Sequence, residues 1–137
     1  MRFEGTVVRH GKFWAVEIPA LNLSTQGMTL KEGYAMARAV VEDIVGKQGF
    51  KVNLEILSKG HFAVGSDNVA ELVALMLKRQ RAKHGLSLME VAERMGSRSP
   101  NAFGAYEQGK REPTLTTLEK LIRVIDPSIS VTLSLRP

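Results

Sequence analysis

The chain has 137 residues, 44% apolar and 24% charged, the balance of one medium globular domain or two small ones. Its apolar runs are far shorter than the ~20 residues a membrane helix needs, and the start is charged at Arg2 and Glu4 with no apolar signal core behind it. There is no cysteine, which excludes disulfides and thiolate metal sites, and His10, His61 and His84 are too scattered to suggest metal ligands. A cytoplasmic protein with no cofactor and no membrane partner is expected.

Nineteen basic residues against 14 acidic ones make the net charge +5, and the excess is not evenly spread. Residues 1–66 hold eight Lys/Arg and six Asp/Glu. Between Lys78 and Arg111 eight basic residues (78, 79, 81, 83, 94, 98, 110 and 111) face Glu90, Glu93 and Glu107. Such a concentration suits the phosphates of a nucleic acid.

Residues 2–9 and 13–19 read as a hairpin. Trp14, Val16 and Ile18 alternate with Phe13, Ala15 and Glu17, the period of a half-buried strand. His10-Gly11-Lys12 supplies the glycine of a tight turn, and Pro19 ends the second strand. A third extended segment runs from Leu21 to Thr25. Thr29-Leu30-Lys31-Glu32 fits a capping box and opens a helix whose stripe is Leu30, Tyr34, Ala37, Val41 and Ile44, closed by Gly46 and Gly49. Val52, Leu54 and Ile56 alternate as a fourth strand. Trp14, Tyr34 and Phe62 are expected in the core.

Residues 58–67 read as a linker holding a short extended piece, His61–Val64. Ser66 or Asp67 is the expected cap of a helix with Val69, Leu72, Val73, Met76 and Leu77 inward, ended by His84-Gly85. Ser87 caps the next, through Met95-Gly96, with Leu88, Val91, Ala92 and Met95 inward. Ser99-Pro100 opens a third, which reaches Gln108-Gly109. Pro113-Thr114 opens a fourth with Leu115, Leu118, Leu121, Ile122 and Ile125 inward. In the tail Ile129, Val131, Leu133 and Leu135 alternate with Ser130, Thr132 and Ser134, a strand.

Two short helices joined by a tight turn describe a helix-turn-helix. The stretch Leu77–Ile125 resembles the Cro/lambda-repressor (Xre) class of DNA-binding domains through Arg81, Gly85-Leu86-Ser87, Val91-Ala92, Gly96, Phe103, Tyr106-Glu107, Gly109-Lys110-Arg111, Pro113 and Leu115. The resemblance implies a structural ion pair of Arg81 with Glu107. It differs in a turn, Gly96-Ser97-Arg98-Ser99, one residue longer than usual, and in Leu88 where many members carry glutamine. The recognition helix offers Ser99, Asn101, Ala102 and Ala105 to bases, since asparagine bonds adenine twice and alanine meets the thymine methyl. Ser87, Arg98, Lys110 and Arg111 are the expected phosphate contacts. Gly104, unfavourable in a helix, suggests a close approach of DNA or of another helix.

The first half, with its strand Gly11-Lys12-Phe13-Trp14-Ala15-Val16-Glu17-Ile18-Pro19 and its turn Ser24-Thr25-Gln26-Gly27-Met28-Thr29 followed by Glu32, resembles HicB antitoxins, with Gly33 where alanine is commoner. That resemblance implies an α+β chain. It implies that residues 1–65 form a βββαβ, partial ribonuclease-H-like domain that binds a small mRNA-cleaving HicA-like toxin. It implies likewise that residues 66–137 form an all-helical helix-turn-helix domain with a C-terminal strand, which binds double-stranded operator DNA as a dimer or higher homo-oligomer. The strand Ile129, Val131, Leu133 and Leu135 is expected to pair with its copy, because a lone exposed strand invites pairing.

The enzyme class is not favoured. Glu4, Glu17, Glu42, Asp43 and Glu55 share no spacing that forces them together as metal-holding carboxylates, so no catalytic residue is expected. The alternative is a stand-alone Xre repressor whose N-terminal domain senses a small effector.

Overall fold

A computed structural model describes residues 1–137, which divide into two units, Met1–Met76 and Leu77–Pro137. The fold is mixed α+β.

The first unit is built from β1 (Arg2–His10), β2 (Phe13–Ile18), β3 (Leu23–Gly27), α1 (Leu30–Val45), β4 (Asn53–Ser58) and β5 (His61–Gly65). The five strands form one sheet in the order β3-β2-β1-β5-β4, every neighbour antiparallel. The expected βββαβ order is therefore corrected to βββαββ. Residues 61–65, read as a linker holding a short extended piece at His61–Val64, are a full strand between β1 and β4 in the sheet, with Phe62, Ala63 and Val64 buried. A strand flanked on both edges and buried on both faces shows no alternation, so its short apolar run marks it only weakly in the sequence.

Period-2 alternation does place β1 and β2. Val7, Val16 and Ile18 point to the core while Thr6, Val8, Phe13 and Glu17 stand exposed. The backbone between β2 and β3 is not extended throughout: Pro19–Leu21 is a 3-10 turn closed by Asn22 at φ 47°. Helix α1 starts at Thr29, whose hydroxyl accepts the Glu32 amide at 3.0 Å, and packs Gly33, Ala37 and Val41 inward. A Cβ on Gly33 would stand 2.6 Å from Val7 Cγ1, so glycine lets the helix lie closer to the sheet than alanine would.

Phe62 is fully buried beneath Tyr34, ring edge to face at 6.0 Å. The Tyr34 hydroxyl accepts the Gly60 amide at 2.8 Å, so α1 is tied to the β4–β5 turn. Ile44 and Ile56, expected inward, are 42% and 58% exposed. Ile44 lies in the last turn of α1. Ile56 lies on an edge strand whose register slips between Ile56 and Ser58, and the extra residue of such a bulge ends the alternation.

The division between the units falls within α2 (Val69–Lys83). Its cap is Asn68, whose side-chain oxygen accepts the Glu71 amide at 3.3 Å, and neither Ser66 nor Asp67. Ser66 instead donates to the Lys51 carbonyl at 2.7 Å and accepts the Asn68 amide at 3.1 Å. The second unit continues with α3 (Leu88–Arg94), α4 (Asn101–Glu107) and α5 (Leu115–Ile125). Leu77, Leu86, Val91, Ala92, Phe103, Leu118, Leu121, Ile122 and Ile125 are its buried apolar side chains, each large one contributing about 1.5–3 kcal/mol. Leu115, expected inward, is 58% exposed.

The strand expected in the tail, at residues 129–135, is not formed within the single chain, and Leu133 and Leu135 are exposed. A strand needs a neighbour for its N–H and C=O groups, and the single chain presents the tail with none. No helix is long and apolar enough to cross a membrane.

Candidate nucleic-acid interface

Helices α3 and α4 and their turn carry the expected contact residues. A full capping box starts α3: the Ser87 hydroxyl accepts the Glu90 amide at 3.0 Å, and the Glu90 carboxylate accepts the Ser87 amide at 3.4 Å. As an acceptor there, Ser87 keeps its own O–H free to donate outward. The helix ends at Gly96, whose φ of +77° is a conformation that residues with a Cβ rarely adopt. The Ser97 amide folds back to the Ala92 carbonyl at 2.9 Å, closing the helix in the manner of a Schellman turn.

The longer turn has its own hydrogen bonds. The Ser97 hydroxyl accepts the Ser99 amide, and the Ser99 hydroxyl accepts the Asn101 amide, both at 3.2 Å. With Pro100 already helical and the Ala102 amide on the Ser99 carbonyl at 3.1 Å, Ser99 works as the cap and Pro100 as the first helical residue. Asn101 is exposed, and Ala102 and Ala105 are half-buried. The three share an arc of about 100° on α4. Beneath it Phe103 is fully buried. A Cβ on Gly104 would meet only Leu88 Cδ1, at 3.8 Å, so Gly104 faces α3.

Arg81 and Glu107 hold this arrangement together. Nε and Nη2 of Arg81 donate to the two Glu107 oxygens at 2.5 and 3.2 Å, and Nη1 donates to the Leu86 carbonyl at 2.8 Å. The pair ties the end of α2 to the end of α4. With side chains only 18% and 6% exposed, removing one partner strands a charge.

The basic residues divide by use. Arg94 donates to the Val124 and Ile125 carbonyls at 3.0 and 3.2 Å, so it caps α5 instead of facing a ligand, a role that its place in the sequence does not announce. His84 contacts the Gln80 carbonyl at 2.8 Å and Asp126 at 3.1 Å. The Asp126 carboxyl is held below its ordinary range, first by the Ser128 hydroxyl, then by the Ser128 amide and by His84. Arg98, Lys110 and Arg111 remain exposed, with the Arg111 guanidinium over the Tyr106 ring, 5.3 Å from its centroid.

The carboxylates of the first unit are spread among separate tasks. Glu4 meets His61 at 3.1 Å, Glu55 meets Arg2 at 3.5 Å, and Glu42 accepts the Val52 amide at 3.1 Å.

Residues 72–127 match the profile of a family described as a helix-turn-helix domain. A search of curated proteins gives no match. Residues 72–127 are thus similar to helix-turn-helix domains, which supports DNA as a partner.

Proposed function

We propose that the protein is an antitoxin that represses its own operon. Residues 66–137 bind double-stranded operator DNA, and residues 1–65 bind and neutralise a small HicA-like, mRNA-cleaving toxin. The observation that carries the reading is the helix-turn-helix domain at 72–127. It is joined to a first half that holds Thr25-Gln26-Gly27, at the end of β3, with Thr29 and Glu32 of the HicB-like pattern.

In this reading Asn101, Ala102, Ala105 and Ser99 meet bases, and Ser87, Arg98, Lys110 and Arg111 meet phosphates. The sheet and α1 are a ribonuclease-H-like platform used for binding and not for catalysis, with β5 in its interior. The tail pairs Ile129, Val131, Leu133 and Leu135 with a second copy. One helix-turn-helix reads only a few base pairs, and a dimer on two half-sites multiplies its affinity. The protein acts in the cytoplasm, at the nucleoid when bound to DNA.

The test is a growth assay in which the full chain is co-expressed with the small reading frame beside its gene. A toxic frame whose effect the full chain removes supports the reading. A harmless frame overturns the antitoxin role and leaves a DNA-binding repressor.

A further inference from the structure

Of the five arginines between Lys78 and Arg111, two are consumed by the fold through contacts with other segments. Arg81 is taken by Glu107 and the Leu86 carbonyl, and Arg94 by the end of α5. Arg111 is different: its side-chain partner is the face of an aromatic ring and no carboxylate. Its backbone is held as well. Gly109 turns the chain at φ +70°, and the Lys110 and Arg111 amides both donate to the Ala105 carbonyl, at 3.0 and 3.3 Å. Tyr106 itself lies on α4 between the buried Phe103 and Gly104 and the ion-paired Glu107, and is half-buried. A cation placed over a ring keeps its N–H groups free, because the attraction uses the π face and no acceptor.

We infer that Tyr106 is a positioning residue for DNA binding, holding the Arg111 guanidinium so that its N–H fork meets a backbone phosphate. This rests on the DNA-binding reading of the domain. The ring makes no contact with DNA in this account. It acts by removing the side-chain freedom that a long arginine would otherwise lose on binding, while the fork supplies the two parallel bonds that suit a phosphate.

The experiment measures binding of the full-length protein to a labelled mixed-sequence DNA duplex over a range of salt. Tyr106→Phe, which keeps the ring, is expected to bind within about twofold of wild type, and Tyr106→Leu to bind about two- to fivefold more weakly. The salt slope of Tyr106→Leu stays that of wild type because the charge is still present, whereas Arg111→Ala lowers it by about one unit. In the Arg111→Ala background Tyr106→Leu has no further effect. Equal losses from Tyr106→Leu in both backgrounds, or no loss in either, overturn the inference. If Tyr106→Leu does not fold, a series of increasingly fluorinated phenylalanines at 106 weakens the ring's π face at nearly constant shape. Affinity should then fall along the series, and constant affinity overturns the inference. Wild-type protein that does not bind the duplex removes the DNA-binding reading itself, and this inference with it.

Discussion

Gly27, at the end of β3, and Gly33, in the first turns of α1, meet backbone against backbone. A Cβ on Gly27 would stand 2.6 Å from the Gly33 amide nitrogen and 2.9 Å from the Glu32 carbonyl carbon. Neither neighbour is a flexible side-chain end, so the contact cannot be relieved without moving the helix. Gly27→Ala is therefore expected to destabilise the first unit by about 1–3 kcal/mol. Gly33→Ala meets a side chain instead, Val7 Cγ1 at 2.6 Å, so Val7→Ala should relieve part of its cost and none of the cost of Gly27→Ala. Urea unfolding of the two single variants and their double variants with Val7→Ala measures this. Equal behaviour of the two glycines would contradict the geometry.

Glu107→Ala leaves the Arg81 guanidinium largely buried with only the Leu86 carbonyl to accept from it. A loss of about 3–5 kcal/mol is expected, the usual cost of an uncompensated charge, seen as a lower melting temperature of the helical unit. A change within measurement error would place the pair among exposed ion pairs of little worth.

Gly104→Ala should stabilise. The added methyl reaches only an ordinary contact at 3.8 Å with Leu88, and the helix gains about 0.5–1 kcal/mol from the substitution. A lower denaturant midpoint would mean that α3 and α4 pack more tightly than this distance allows.

Because the Asp126 carboxyl titrates below its ordinary value, it adds stability that is present above the unfolded carboxylate pKa and is lost as pH falls through the folded one. The Ser128 hydroxyl is the first cause, donating at 2.6 Å. Ser128→Ala should move the titration up toward the ordinary value. Its stability deficit should be full at neutral pH and shrink in acid, where the carboxyl is protonated in both proteins. Carboxyl-detected NMR titration reads the shift directly, and an unmoved titration would assign the effect to the Ser128 amide or to His84.

On the proposed DNA face, Asn101→Ala should relax operator discrimination by ~1–3 kcal/mol at one base pair. Lys110→Ala should weaken binding to all sequences and flatten the salt dependence. Competition binding with operator and scrambled duplexes separates the two, and if both variants behaved alike the division into base and phosphate contacts would fail.

Caps, stops and periodicities act over a few residues, and these were legible in the sequence. The Thr29 and Ser87 caps, the glycine after α3, the alternation of β1 and β2 and the pattern of the helix-turn-helix could all be read without coordinates. Even the longer turn before α4 showed its capping residue, because Ser99 and Pro100 stand next to the backbone groups they serve. Tertiary structure alone decided which apolar residues stay wet, as with Ile44, Ile56 and Leu115, and made the run at 61–65 an interior strand. It also turned Arg94 inward to α5 while leaving Arg111 outward on Tyr106. The physical reason is range. A cap or an alternation depends on neighbours within a turn or two, whereas burial, strand order and the use of a charge depend on segments tens of residues away, whose distance no local pattern records.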